Sequence, residues 1–150
     1  MTTRPPIEIG NRKDYLFINP NSEKTRYKRG SEAIVYCYGV LGNPYKPTKY
    51  KSNSVCIAEY EFRIGEIAFL QSCGIIPNEP RVKEIMKLKE IWEKGTFDSG
   101  EPISKMVLVC HCYPNYCHAE VIRRIIKGEL VPEEILLPWE KQKLLIEYSD

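Results

Sequence analysis

Lys105-Met106-Val107-Leu108-Val109-Cys110 is an almost unbroken apolar run, rich in side chains that favour extended backbone. A strand with one face in water alternates apolar and polar residues, and this run does not alternate. It therefore reads as a central strand covered on both faces, as in parallel sheets with helices above and below. Three earlier segments are candidate strands of the same sheet: Ile7-Glu8-Ile9, Tyr15-Leu16-Phe17-Ile18 closed by Asn19-Pro20, and Ala33 to Tyr38, which ends at Gly39.

Helical spacing fills the interval between these strands. From Ser54 to about Ser72, Val55, Ala58, Phe62 and Phe69, with Ile57, Ile64 and Ala68, recur at roughly helical period, and the helix is expected to end near Gly74. A second helix is expected to be capped by Asn78, with Pro80 in its first turn. It carries Val82, Ile85, Met86, Leu88 and Trp92 and stops at Gly95. After the central strand a third is expected to start with Asn115 as cap and to run through Ala119, Val121, Ile122 and Ile125 until Gly128. Short helices are expected around Glu133 to Leu137 and Trp139 to Tyr148. This order predicts a compact α/β domain over residues 1–150, with a mixed or mostly parallel sheet flanked by helices and a short C-terminal helical extension.

Composition narrows the classes of function. A chain of 150 residues with 43% hydrophobic and 28% charged residues can bury one core, and its longest apolar runs are far too short for a transmembrane helix. No secretory signal is visible in Met1-Thr2-Thr3-Arg4-Pro5-Pro6, so a reducing cytoplasm is expected and the six cysteines are expected to be thiols. A net charge of +2 does not indicate nucleic-acid binding. The local basic groups, Lys24, Arg26, Lys28 and Arg29 around Tyr27, and Lys46, Lys49 and Lys51 with Tyr45 and Tyr50, read as solvated loops.

Chemistry concentrates after the central strand, in Cys110-His111-Cys112 and Cys117-His118. In extended backbone Cys110 and Cys112 face the same way and His111 the opposite way. The turn Tyr113-Pro114-Asn115 would bring Cys117 and His118 into the first turn of the next helix, beside the carboxyl end of the strand, where open α/β sheets bind ligands. Three functional readings stand beside simple packing. Cys110, Cys112, Cys117 and His118 form a set suited to zinc, although one residue between the first pair is a tight spacing. Cys117 and His118 could act as nucleophile and acid–base pair, since a helix N-terminus favours thiolate. The free N–H groups of Tyr116, Cys117 and His118 could hold an anion. Cys-x-x-Cys-His, needed for c-type haem, is absent, as are a P-loop and a Ser-His-Asp set. Cys37, Cys56 and Cys73 read as packing residues, and Glu59 and Glu120 as solvated carboxylates.

A second segment, Leu41-Gly42-Asn43-Pro44-Tyr45, joins a strand to the long helix. It is an ordinary turn by composition, and it also sets an amide and an aromatic ring at a strand end, as recognition of a base or sugar requires.

Taken together, Gly42-Asn43-Pro44-Tyr45 and Leu108 to Ile122, with the spacing Cys110-x-Cys112-x-Pro114-x-x-Cys117-His118-Ala119, resemble the domain-of-unknown-function family four-three-two-six over roughly Tyr15 to Ile126. Tyr45 stands where that family usually has phenylalanine, and Leu16-Phe17-Ile18-Asn19 where it often has Tyr-Ile-Gly-Arg, so a ligand contact by that arginine is not carried over. The resemblance implies a Rossmann-like fold, similar in outline to nucleoside-handling folds such as the nucleoside deoxyribosyltransferases, and an origin in phages or bacteria. It implies a coherent site without a named reaction.

The resulting expectation is a phage-encoded cytoplasmic protein that binds a nucleotide or nucleoside-like ligand between Gly42-Tyr45 and Cys110-His118. Gly42, Asn43, Pro44, Tyr45 and Cys112 would contact or support the ligand, and Cys117 and His118 would supply chemistry or hold an anion. The rival expectation is a non-enzymatic interaction protein with structural zinc on Cys110, Cys112, Cys117 and His118, its tyrosine- and lysine-rich loops contacting a host protein or nucleic acid.

Overall fold

The computed structural model describes residues 4–15, 25–37, 39–110 and 117–149. Four strands, β1 (Ile7–Asn11), β2 (Arg26–Arg29), β3 (Glu32–Tyr36) and β4 (Lys105–Cys110), form one sheet in the order β1-β4-β3-β2. β4 lies between β1 and β3 and is parallel to both, whereas β2 is antiparallel to β3 at the edge. Among the described residues four helices accompany the sheet: α1 (Asn53–Ser72), α2 (Pro80–Lys94), α3 (Ala119–Ile126) and α4 (Pro138–Glu147). The mostly parallel α/β architecture with a C-terminal helix is the one the sequence predicts.

Alternation along the strands divides the core. Ala33, Val35, Cys37, Met106, Leu108 and Cys110 face a cluster built with Ile57, Tyr60 and Ile64 of α1, Ile85 and Leu88 of α2, and Ile122 and Ile125 of α3. Ile34, Tyr36, Val107 and Val109 face the other way and pack with Tyr15 and Tyr27. The helices expected above and below the central strand thus share one face among the described residues. A turn and the neighbouring edge strand serve the other. Covering by aromatic rings hides Val107 and Val109 as well as a helix would, so the apolar run alone does not distinguish the two.

Several local expectations are corrected. The basic segment around Tyr27 is not a loop but strand β2, and its charges are held in ion pairs: Arg26 with Glu84, Lys28 with Glu101, Arg29 with Glu32. Charged side chains are a usual feature of edge strands, where they discourage pairing with another chain. Tyr15 ends a 3-10 turn, Arg12–Tyr15, instead of opening a strand; Leu16 to Ile18, and Tyr38 at the end of the expected third strand, lie outside the described residues. Glu79, not Asn78, caps α2: its carboxylate accepts from the Val82 N–H at 2.9 Å, while Asn78 accepts from Gln71. A 3-10 turn, Pro132–Glu134, stands where a short helix was expected. In α1 the buried face is Cys56, Ile57, Tyr60, Ile64, Ile67, Ala68 and Leu70; Val55 and Phe62 are exposed, as is Met86 in α2. Cys73 is exposed at the end of α1 rather than packed.

The tail is seated by a close approach. A Cβ built on Gly65, in the middle of α1, would lie 2.7 Å from both Cβ and Cγ2 of Ile135, closer than carbon atoms approach. Glycine is therefore kept inside a helix despite its conformational cost, because Ile135 and Leu136 pack against its bare backbone. Gly65→Ala, which ordinarily stabilises a helix interior, should here lower stability by about 1–3 kcal/mol through overpacking. Urea unfolding checks this, and Ile135→Gly in the same chain should remove the penalty of adding the methyl group.

Candidate functional site at the carboxyl edge of the sheet

Because β1, β4 and β3 run parallel, their carboxyl ends lie at one edge, with Asn11 paired to Cys110 and Cys37 just beyond Tyr36. The Cys37 N–H donates to the Val109 carbonyl at 3.0 Å, extending the ladder by one residue. Cys110 ends β4, and Cys117 and His118 return the chain to the same edge. His118 stands at the cap position of α3 with no side-chain cap bond, so Cys117 and His118 immediately precede the helix instead of lying in its first turn. The helical carbonyls begin with them: Cys117 O accepts from Glu120 N–H, and His118 O from Val121 and Ile122. Asn115, the expected cap, lies with His111, Cys112, Tyr113, Pro114 and Tyr116 outside the described residues.

His118 is buried and its Nε2 is hydrogen-bonded to the Cys37 carbonyl. A carbonyl can only accept, so Nε2 carries the proton and donates. Nδ1 is therefore the ring nitrogen through which metal binding or proton transfer would have to run. Its ring lies 5.0 Å from that of Tyr60, tilted by 55°, and Tyr60 in turn donates its hydroxyl to the Leu41 carbonyl at 2.8 Å. His118 and Tyr60 thus join the start of α3, the end of β3 and the segment leading to Gly42. Burial pushes the Tyr60 phenol far above its ordinary range, with nearby Arg81 opposing, so it remains a neutral donor.

Gly42 to Tyr45 follows a 3-10 turn, Gly39–Leu41, from the end of β3. Asn43 spends its amide on the turn: Nδ2 donates to the Cys56 carbonyl at 3.1 Å, and Oδ1 accepts from the Tyr45 N–H at 2.9 Å. It shapes the segment and ties it to α1. Arg81, in the first turn of α2, donates to the Gly42 carbonyl at 3.1 Å, with its guanidinium 5.5 Å from the Tyr60 ring. Its Nε is buried without a hydrogen-bond partner among the described residues. Lys51 stands 5.8 Å from the Tyr45 ring and pairs with Glu59 at 2.9 Å; Glu120 pairs with Arg123 at 2.7 Å, so both carboxylates are partnered.

Cys110 and Cys117 place their sulfurs 3.1 Å apart, both buried, and the Ala119 N–H donates to Cys117 Sγ at 3.4 Å. Cys37 belongs to the same neighbourhood: burial and the adjacent Cys110 push its thiol well above the ordinary range, so it stays protonated near neutrality. For zinc, Cys110 and Cys117 are adjacent and His118 could offer only Nδ1; Cys112 is outside the described residues, among which no cluster of three ligating side chains occurs. Tetrahedral zinc, with zinc–sulfur bonds of about 2.3 Å, would hold two sulfurs roughly 3.8 Å apart, so this pair would have to open.

Sequence reasoning did not single out Tyr60, Arg81 or a site role for Cys37. Arg81 had one local signal, a cation in the first turn of a helix, where the backbone dipole disfavours it unless something else requires it.

The arrangement is that of a mostly parallel α/β protein with a cysteine–histidine cluster at the carboxyl edge of its sheet. Residues 18–128 match the family described as Domain of unknown function (DUF4326), and the chain belongs to that family. No curated protein and no solved structure matches the chain.

Replacing His118 by phenylalanine keeps a ring but strands the Cys37 carbonyl without its donor. Stability should fall by about 1–3 kcal/mol, measured by urea unfolding. Cysteine reactivity should also sort by burial. Brief iodoacetamide treatment of the native protein, mapped by peptide mass, should label Cys73 and spare Cys37 and Cys56, and labelling of all three at equal rates would contradict the buried positions of the latter two.

Proposed function

We propose that this protein binds a nucleotide or nucleoside-like small molecule at the carboxyl edge of the sheet, between Gly42-Tyr45 and Cys110-His118. The observation that carries this reading is the convergence of the two segments on adjacent parallel strands, joined by the His118 bond to the Cys37 carbonyl and by Tyr60 against both. Crevices at the carboxyl ends of parallel strands are where α/β sheets bind ligands. In this reading Tyr45 supplies a ring for a base, Gly42 and Pro44 set the loop's path, and Asn43 holds the loop against α1. Arg81 adds a cation at the same edge for a phosphate or carboxylate. Cys112 supports the pocket, and Cys117 and His118 are the groups available for chemistry on the ligand. The same reading takes the protein as phage-encoded and cytoplasmic, in keeping with the thiols of Cys37, Cys56 and Cys73, none of which is in a disulfide.

A thermal-shift panel of nucleosides and nucleotides tests the proposal, because a ligand that binds only the folded state raises the midpoint by mass action. At a ligand concentration of about 100 times Kd, the gain is about 2.7 kcal/mol. The expected result is a rise for at least one compound that Tyr45→Ala reduces and Cys117→Ser leaves in place. A panel with no response from the wild-type chain would sink the reading.

The close sulfurs of Cys110 and Cys117 favour one second reading, structural zinc completed by Cys112 and His118 in a non-enzymatic interaction protein. Metal analysis separates the two: stoichiometric zinc, lost together with folding in Cys112→Ser, would support it, and a stably folded metal-free protein would exclude it.

A further inference from the structure

We infer that Cys110 and Cys117 form a reversible redox pair, a disulfide-forming modification site that tethers the end of β4 to the start of α3. Their sulfurs are 3.1 Å apart, about 1 Å more than a disulfide bond, on two segments that the sheet and helix already hold side by side. Bond formation therefore asks for small side-chain movements and no change in topology. Exposed, isolated Cys73 has no such arrangement.

The environment also distinguishes the two sulfurs. Cys117 accepts the Ala119 N–H, a donor at the start of α3, and lies within hydrogen-bonding distance of the Cys110 sulfur. The Ala119 N–H favours negative charge on Cys117, whose proton the adjacent Cys110 sulfur can accept, and this makes Cys117 the sulfur to be oxidised first. The co-reactant is a peroxide, small enough to reach a buried thiol. The Cys117 thiolate attacks one peroxide oxygen and the O–O bond breaks. Cys117 becomes a sulfenic acid, and hydroxide leaves to be protonated to water. Cys110 then attacks the Cys117 sulfur; the S–O bond breaks, the Cys110 proton leaves with the hydroxyl as a second water, and the S–S bond forms. Two thiols are oxidised by two electrons, and one hydrogen peroxide is reduced to two waters. A dithiol reductant reverses the change by exchange.

The proposal is independent of the ligand reading, because it uses only the two sulfurs and their backbone setting. Its consequence concerns the same edge: the disulfide would fix the ends of the 111–116 segment, which carries Cys112, and exclude Cys110 and Cys117 as metal thiolates or nucleophiles while oxidised.

The experiment treats the full chain with an equimolar amount of hydrogen peroxide, blocks remaining thiols, and maps disulfides by mass spectrometry without reduction. Before blocking, the expected product is about 2 Da lighter than the untreated chain and returns to the starting mass with dithiothreitol; after blocking, its map carries a Cys110–Cys117 link. Cys110→Ser and Cys117→Ser should each lose the link, and Cys56→Ser should keep it. Blocked, unlinked Cys110 and Cys117, or a principal link from Cys112 or Cys37 to either of them, would overturn the assignment. Serine variants that fail to fold do not remove the test, since the linkage map of the wild-type chain decides it alone.

Discussion

Strand β4 is bonded on both sides, to β1 and to β3, and its side chains are buried on both faces. Every other element is placed by that double commitment. An unpaired backbone group there would be shielded from water and would cost about as much as a lost hydrogen bond, so both neighbouring strands are required. Burial on both faces likewise requires two covers, which the helical cluster supplies on one side and the tyrosines on the other. β1, β4 and β3 run parallel, which brings three strand ends to a single edge.

The chemistry-bearing residues collect at that edge because β4 stops there. Past the ends of the strands, backbone groups need partners other than the ladder. The Cys37 carbonyl, also past the end of its strand, is satisfied by His118. Leu41 is satisfied by Tyr60, and Gly42 by Arg81. The polar side chains that define the candidate site are therefore first of all the groups that close the end of the sheet. This gives His118 and Tyr60 a structural duty that any ligand or redox role must accommodate.

The helices and strands with a strong periodic signal were legible at the level of the chain. The β4 run, the long α1 pattern, the Pro80 start and Gly95 end of α2, and the Ala119 to Ile126 helix were all readable locally. Gly95 has a φ of 71° and ends α2 in the left-handed conformation, which glycine adopts without penalty. Strand β2 was hidden because its residues are charged; its identity comes from pairing with β3 and from acidic partners that are not its immediate neighbours, such as Glu84 and Glu101. The cap of α2 lies one residue beyond the Asn78 that the sequence suggests, because Asn78 and Glu79 can both accept an amide proton and the backbone path chooses between them.

For the site, the sequence by itself determined that Cys110, Cys117 and His118 surround a strand-to-helix connection. Periodicity and turn chemistry act over a few residues and suffice for that. Only the tertiary structure decided that Cys37, Tyr60 and Arg81 belong with them, that Asn43 bonds both α1 and its own turn, and that Cys110 and Cys117 face each other at 3.1 Å. Those facts depend on how strands pair and how helices cross the sheet. The contacts that settle them, such as Cys37 with His118 and Gly42 with Arg81, join residues 81 and 39 positions apart in the chain. No local pattern encodes distances of that kind, because they exist only once burial has brought the separate elements around one core.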